Sequence, residues 1–196
     1  PANYFHILRR QIRRKFRKPL ILMTPKSLLR HKRVTSSLEE LGEGTTFHRI
    51  LWDDADRVSR PQSQEKIILQ PDNDIKRVVM CTGKVYYDLI DQREAAGITD
   101  TVVLRIEQLY PFPARALIQE LSRYPNATDI VWCQEEPKNM GAWSFIDPNL
   151  EWVLDHVGGR VQRARYAGRP ASASTATGLA RKHAEEQKKL VADALS

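Results

Sequence analysis

The chain has 196 residues, 41% hydrophobic and 28% charged, with a net charge of +7. That balance excludes wholesale disorder and fits one domain, or one domain plus part of another. No apolar run approaches the roughly 18–20 residues of a membrane span, and no apolar stretch of useful length follows the basic start to make a secretory signal. The charge is local: the first 33 residues hold 11 Lys/Arg and no acid, whereas the rest holds 20 basic against 24 acidic residues. One basic helix on a mildly acidic body argues against a nucleic-acid-binding domain, and its aromatic residues are not interleaved among the cations as a single-strand binder requires.

In chain order, Tyr4, Leu8, Ile12 and Phe16, with Phe5 beside them, recur at helical spacing and predict an amphipathic helix ended by Pro19. Leu20–Met23 reads as a buried strand, and Thr24-Pro25 opens a polar turn carrying Lys26. Helix then strand is half of an α/β unit. Together with a first residue that is not Met, it leads us to expect a piece of a larger protein. Residues 34–76 read as irregular. "SSLEEL" has a short helical look, with Ser36 or Ser37 as cap and Gly42 and Gly44 as stops. "PQSQ" and "PDND" are turn signals, and "KIILQ" between them reads as a short edge strand.

From residue 77 strands and helices alternate: "RVVMC", "KVYYDLIDQREAA" ended by Gly97, "TVVLRIEQL", "PARALIQELSRY", "TDIVWCQE", "PNLEWVLDHV", "RVQRARYAG" and "STATGLARKHAEEQKKLVADAL". The sixth of these is expected to start with Asp147 as N-cap and Pro148 at the first position. The alternation predicts an α/β fold with a mainly parallel, doubly wound sheet and helices on both faces.

Chemistry-bearing motifs are sparse. Cys81 and Cys133 end apolar runs and read as reduced, buried strand residues, which suits an intracellular protein. "CTGK" at 81–84 lacks the longer glycine loop and the Ser/Thr of a phosphate-binding loop, so it reads as a strand-to-helix turn. "GEG" at 42–44, with Asn73 downstream, has Glu where a magnesium–diphosphate motif needs Asp and no strand leading into it; it reads as a helix stop. Glu135 and Glu136 sit at the C-terminal end of a strand, where α/β sheets bind ligands. Adjacent strand residues point to opposite faces, so structural hydrogen bonding is the expected role. The five histidines are scattered, and no catalytic constellation or metal-ligand spacing is complete.

Seven stretches in order, "NYFHILRRQ", "KPLILMTPKSLLRH", "SSLEEL", "CTGKVYYDL", "RIEQLYPFP", "WCQEEPKNMGAW" and "RYAGRPASAS", resemble the C-terminal part of the first component of 2-oxoglutarate dehydrogenase, a thiamine-diphosphate-dependent decarboxylase family. The resemblance implies a transketolase C-terminal-domain-like fold for residues 77–196. It makes residues 1–33 the last helix and strand of a pyrimidine-binding domain, and 34–76 the connection between them. It implies a citric-acid-cycle oxidoreductase that decarboxylates 2-oxoglutarate and succinylates the lipoyl group of a dihydrolipoyl succinyltransferase.

In that family the thiamine diphosphate and Mg²⁺ residues lie upstream of this stretch. No catalytic, cofactor or metal residue is therefore carried onto this chain, and the piece alone is expected to be non-catalytic and to bind neither group. The implied partners are the upstream domains, a homodimer mate and the succinyltransferase; the implied location is the bacterial cytoplasm, or alternatively the mitochondrial matrix. Some relatives bind acetyl-CoA at a cationic seam, and Arg10 of "LRR" and Lys26 of "TPKS" are similar to residues of that seam. The alternative is a free-standing effector- or partner-binding α/β module.

Overall fold

A computed structural model describes every residue except Gln62 and Gln64, so the turn expected over Pro61–Gln64 lies partly outside the described residues. The chain divides into two compact units, Pro1–His48 and Arg49–Ser196.

In the first unit the expected helix forms as α1 (Ala2–Arg13). Its first N–H groups need partners, and Ser36 Oγ accepts the Ala2 N–H at 3.0 Å, so a serine distant in sequence does the capping. Asn3 clasps His48 by two 2.9 Å bonds, and the His6 imidazole bonds the Glu40 carbonyl at 2.8 Å. The buried positions of α1 are Ala2 and His6. The predicted apolar stripe is exposed instead, with Ile12 at 77% and Tyr4 at 50%. The helix also stops at Arg13, before Phe16 and Pro19.

Leu20–Met23 is not a strand, and Met23 is 90% exposed. A strand needs an edge to pair with, and among the described residues none pairs with this one. Lys26–Arg30 and Glu39–Leu41 are single 3₁₀ turns, the second closed by Gly42 as expected. Glu40 reaches back to the Ser37 N–H at 2.8 Å, half of a capping box.

The second unit holds a five-stranded sheet: β1 (Ile50–Leu51), β2 (Arg77–Cys81), β3 (Thr101–Ile106), β4 (Asp129–Pro137) and β5 (Arg165–Arg169). The order is β1-β3-β2-β4-β5, parallel except for the antiparallel edge β1. The helices are α2 (Val85–Ala96), α3 (Ala114–Leu121), α4 (Trp143–Val157) and α5 (Ala180–Leu195). α2 and α5 pack together on one face; α3 and α4 pack on the other. Central strands covered on both faces must be largely apolar, and Val78–Cys81 of β2 and Val102–Leu104 of β3 are. Val78, Met80, Leu104 and Trp132 fill the α3/α4 side with Ile146 and Leu150, all essentially inaccessible. Gly97 and Gly158, both at φ 65°, end α2 and α4 in the left-handed conformation that glycine adopts without penalty.

Three expected elements are corrected. "KIILQ" is not a strand; the edge is β1, a stretch read as irregular, while Ile67 is buried without strand pairing. α4 begins at Trp143, leaving Pro148 inside the helix and Asp147 paired with Arg163 at 2.8 Å rather than capping. The earlier start has a cause: the Trp143 N–H is accepted at 3.0 Å by the Gln134 side chain. α5 begins at Ala180, not Ser174, because the Ser/Thr-rich stretch before it folds back, with Thr177 Oγ1 donating to Glu186 at 2.8 Å.

Asp129 holds the sheet to the end of α5. Its Oδ2 accepts from Arg77 Nε at 2.7 Å and Arg165 Nη2 at 2.8 Å, and both arginines donate onward to the Leu195 and Asp193 carbonyls. Burial alone would raise the Asp129 carboxyl, but the two arginines outweigh it and hold it below its ordinary value. A depressed folded pKa stabilises above the unfolded value of 3.8, and that stabilisation disappears as the pH falls through the folded value. Asp129→Asn should therefore cost about 1–2 kcal/mol at neutral pH, with the wild-type and variant melting temperatures converging as acid protonates Asp129.

Candidate functional site

Strand order reverses between β2 and β4, and in an open α/β sheet the crevice at the C-terminal ends of such strands is where ligands bind. Here that crevice is occupied by the protein's own side chains. Lys84, in the turn after β2, pairs with Glu135 at the end of β4. Gln187 of α5 donates to Asp88 at 2.7 Å and to Glu135 at 3.0 Å. Arg169, ending β5, donates to Glu186 at 3.0 Å, to Gln187 at 3.0 Å and to the Glu135 carbonyl, and meets His183 at 3.2 Å. The hydroxyl of Thr177 leads the causes that hold the Glu186 carboxyl below its ordinary value. A cleft of about 370 Å³ adjoins the cluster, lined by Arg169, Ser172, Thr177, Lys182 and Glu186 among others.

The expected structural role of "QEEP" is what this geometry contains. Glu135 is tied into the crevice network while Glu136 is exposed, so the two carboxylates do not share a site. The residue that sequence reading passed over is Gln134. It is 1% exposed. Its Oε1 accepts from Trp132 Nε1 and from the Trp143 N–H, each at 3.0 Å. Its Nε2 faces the carbonyls of Glu136, Pro137 and Met140 at 3.2, 3.2 and 2.8 Å. Gly141, at φ 65°, lets the loop pass so close that a Cβ there would sit 3.0 Å from Gln134 Nε2. One amide thus fixes the β4–α4 loop and the start of α4. No local spacing announces such a hub, because its partners are carbonyls and ring N–H groups brought in by the fold.

A second network lies at the β1 side. Arg123 joins Asp56 at 2.9 Å, Asp72 at 3.0 Å and Glu120 at 2.6 Å, and Trp52 donates to Glu120 at 3.1 Å. Burial raises the Glu120 carboxyl above its ordinary value despite Arg123. Asp56, which burial would also raise, is held low by its bonds to Arg123 and Ser59. These charges satisfy one another.

The donor set does not fit magnesium or a diphosphate. Among the described residues no group of three His, Cys, Asp or Glu side chains is placed to hold a metal. Gly42–Gly44 follows a 3₁₀ turn with Glu43 exposed, and Lys84 is engaged by Glu135. No step of thiamine chemistry is assigned to these residues. Arg10 lies in the first unit with its guanidinium 4.6 Å from the centre of the Phe47 ring, and Lys26 is exposed at the start of a 3₁₀ turn in the same unit.

The family described as 2-oxoglutarate dehydrogenase C-terminal matches residues 35–195. The 2-oxoglutarate dehydrogenase E1 components of Brucella anthropi and Brucella ovis are each 64% identical over 195 residues, covering 100% of this chain and 19% of the relative. The chain thus spans about a fifth of the length of these curated relatives, 19% in each case. A solved split-gene transketolase, an inactive β4 tetramer, aligns with a TM-score of 0.43 at 17% identity, over 66% of this chain and 42% of that one. With residues 35–195 matched and 64% identity sustained from end to end, this chain belongs to the 2-oxoglutarate dehydrogenase C-terminal family.

Proposed function

We propose that the chain is the C-terminal region of a 2-oxoglutarate dehydrogenase E1 subunit, and that it supports catalysis rather than performing it. The observation that carries this reading is the 64% identity over the whole chain to proteins named as that component, of which it spans 19%. The whole subunit decarboxylates 2-oxoglutarate with thiamine diphosphate and Mg²⁺ held by upstream domains, and passes the succinyl group to the lipoyl arm of the succinyltransferase component. Residues 1–33 close the pyrimidine-binding domain, 34–76 connect, and 77–196 form the C-terminal domain, which packs against the upstream domains and a second subunit. The bacterial source of the relatives supports a cytoplasmic location.

The self-paired crevice supports a structural role, since Lys84, Asp88, Glu135, Arg169 and Gln187 are spent on one another. Deleting residues 49–196 from the gene in its native setting should abolish 2-oxoglutarate decarboxylation by the subunit. Unimpaired activity in that deletion would contradict the reading. Arg10 and Lys26 are proposed as contacts for the phosphates of acetyl-CoA, for which clustered cations are suited. Arg10→Ala and Lys26→Ala should each weaken acetyl-CoA binding to the subunit by about tenfold or more, as loss of a charged hydrogen bond of about 1.5–3 kcal/mol implies. Unchanged affinity in both would remove these residues from the site.

A further inference from the structure

The outer side of α4 carries a row of aromatic side chains. Ile146, Leu150, Val153 and Leu154 turn to the core, and the helical repeat then gathers Phe145, Asn149, Trp152 and His156 on the outer side. Phe145 is 40% exposed and Trp152 is 51% exposed. The Phe145 ring meets Phe112, from the loop before α3, edge to face at 6.4 Å, and the His156 imidazole stacks on the Trp152 ring at 3.8 Å. Tyr110 in the same loop is 83% exposed. Apolar residues scattered singly over a surface need no explanation, but a row that joins the core through Phe112 is a surface built to be covered. Its composition agrees: interface centres favour Trp and exclude Lys, and α4 has neither Lys nor Arg.

Charge and chain length together select what covers it. α4 carries Asp147, Glu151 and Asp155. Asp147 is paired with Arg163, which leaves Glu151 and Asp155, both exposed, as an acidic rim beside the aromatic row. A second copy of the same face would bring two acidic rims together, and like charges across an interface are costly. A complementary surface is apolar with Lys or Arg at its border, and an arginine there can also lie over the Trp152 ring. The spacing of the row along one side of a helix suits another helix laid against it. The chain makes up only 19% of its relatives, and the family it matches is their C-terminal part, so about four-fifths of such a subunit lies on the N-terminal side of Pro1.

We propose that the Phe145–Trp152–His156 face of α4 is the docking surface for a basic, amphipathic helix supplied by the same subunit from the region N-terminal to Pro1. This rests on the reading of the chain as the C-terminal region of a longer subunit. The test uses the intact subunit. In hydroxyl-radical footprinting of the wild type, Trp152 should be oxidised about tenfold more slowly than in the urea-unfolded subunit, as burial at an interface centre implies. A ring left as open as its 51% exposure would lose only about half its rate. With Trp152→p-benzoylphenylalanine, illumination should give a cross-linked species of one subunit's mass, joined to a peptide from the N-terminal side of Pro1 that contains Lys or Arg. Trp152 oxidised as a half-exposed ring, a doubled mass that shows a second copy on the face, or a cross-link to residues 1–196 would each overturn the proposal. The wild-type footprint decides the matter where the substituted subunit fails to fold. A native protein of 22.6 kDa would remove the underlying reading and the proposal together, whereas a full-length subunit with Trp152 open removes the proposal alone.

Discussion

Replacing Asp53 with alanine is expected to lower the stability of the Arg49–Ser196 unit by about 3–5 kcal/mol, the cost of leaving a buried partner charge uncompensated. Asp53 is 0% exposed and Arg93 is 1% exposed. The pair is bidentate: Oδ1 accepts from Arg93 Nη2 at 2.9 Å, and Oδ2 accepts from Nη1. Asp53 also accepts the N–H groups of Val103 at 2.7 Å and Ala55 at 2.9 Å. The Val103 bond explains the placement. β1 is only two residues long and pairs with Ile106 and Arg105 alone, so β3 would otherwise present a buried N–H without a partner. The carboxylate stands in for the missing ladder. Alanine removes that acceptor and strands the Arg93 guanidinium at once. Urea unfolding followed by tryptophan fluorescence reads the loss. Arg163→Ala, which breaks an ion pair whose arginine side chain is 65% exposed, is the contrast and should leave the urea midpoint essentially unchanged.

Gln134→Leu should cost about 3 kcal/mol, since the side chains are similar in size while every polar bond is lost. The Trp132 ring N–H and the Trp143 backbone N–H lose their acceptor, and each unpaired buried donor costs about 1–3 kcal/mol. The loop carbonyls of Glu136, Pro137 and Met140 lose their donor as well. The damage should be local in character: the Trp143 environment and amide exchange at the start of α4 change first, while β2 and β3 keep their protection. Equal stability of variant and wild type in urea, with unchanged exchange at α4, would show that water replaces the amide without loss.

The strands at the centre of the sheet were legible because burial on both faces demands apolar runs, and "VVMC", "VVL" and "IVWC" within them are such runs. Leu20–Met23 and "KIILQ" have similar composition and do not form strands. Apolar character makes a strand possible, but a neighbour with free N–H and C=O groups makes it one. The start of α4 was misplaced for a related reason: Pro148 looked like a first-turn residue, but the cap is a glutamine nine residues before Trp143, brought there by the β4–α4 turn. α1 was legible as a helix, yet its buried side is Ala2 and His6 rather than the aromatic stripe. Of the candidate residues, the turn-forming roles of Gly42–Gly44 and "CTGK" followed from local spacing. Arg10 and Lys26 came from resemblance alone, and no spacing in the sequence points to them. Gln134, Asp53 and Arg123 act through partners up to 67 residues away or through backbone groups, and no one-dimensional pattern marks such contacts.

The most direct test of the central claim is to capture the native protein from its source cells with an antibody raised against this 22.6 kDa chain, and assay the captured material for release of CO2 from 2-oxoglutarate. The account predicts a polypeptide about five times as long as this chain, as the 19% coverage of its relatives implies, and decarboxylase activity that is captured with it. A captured polypeptide of 22.6 kDa with no such activity would contradict it and make the chain a free-standing binding module.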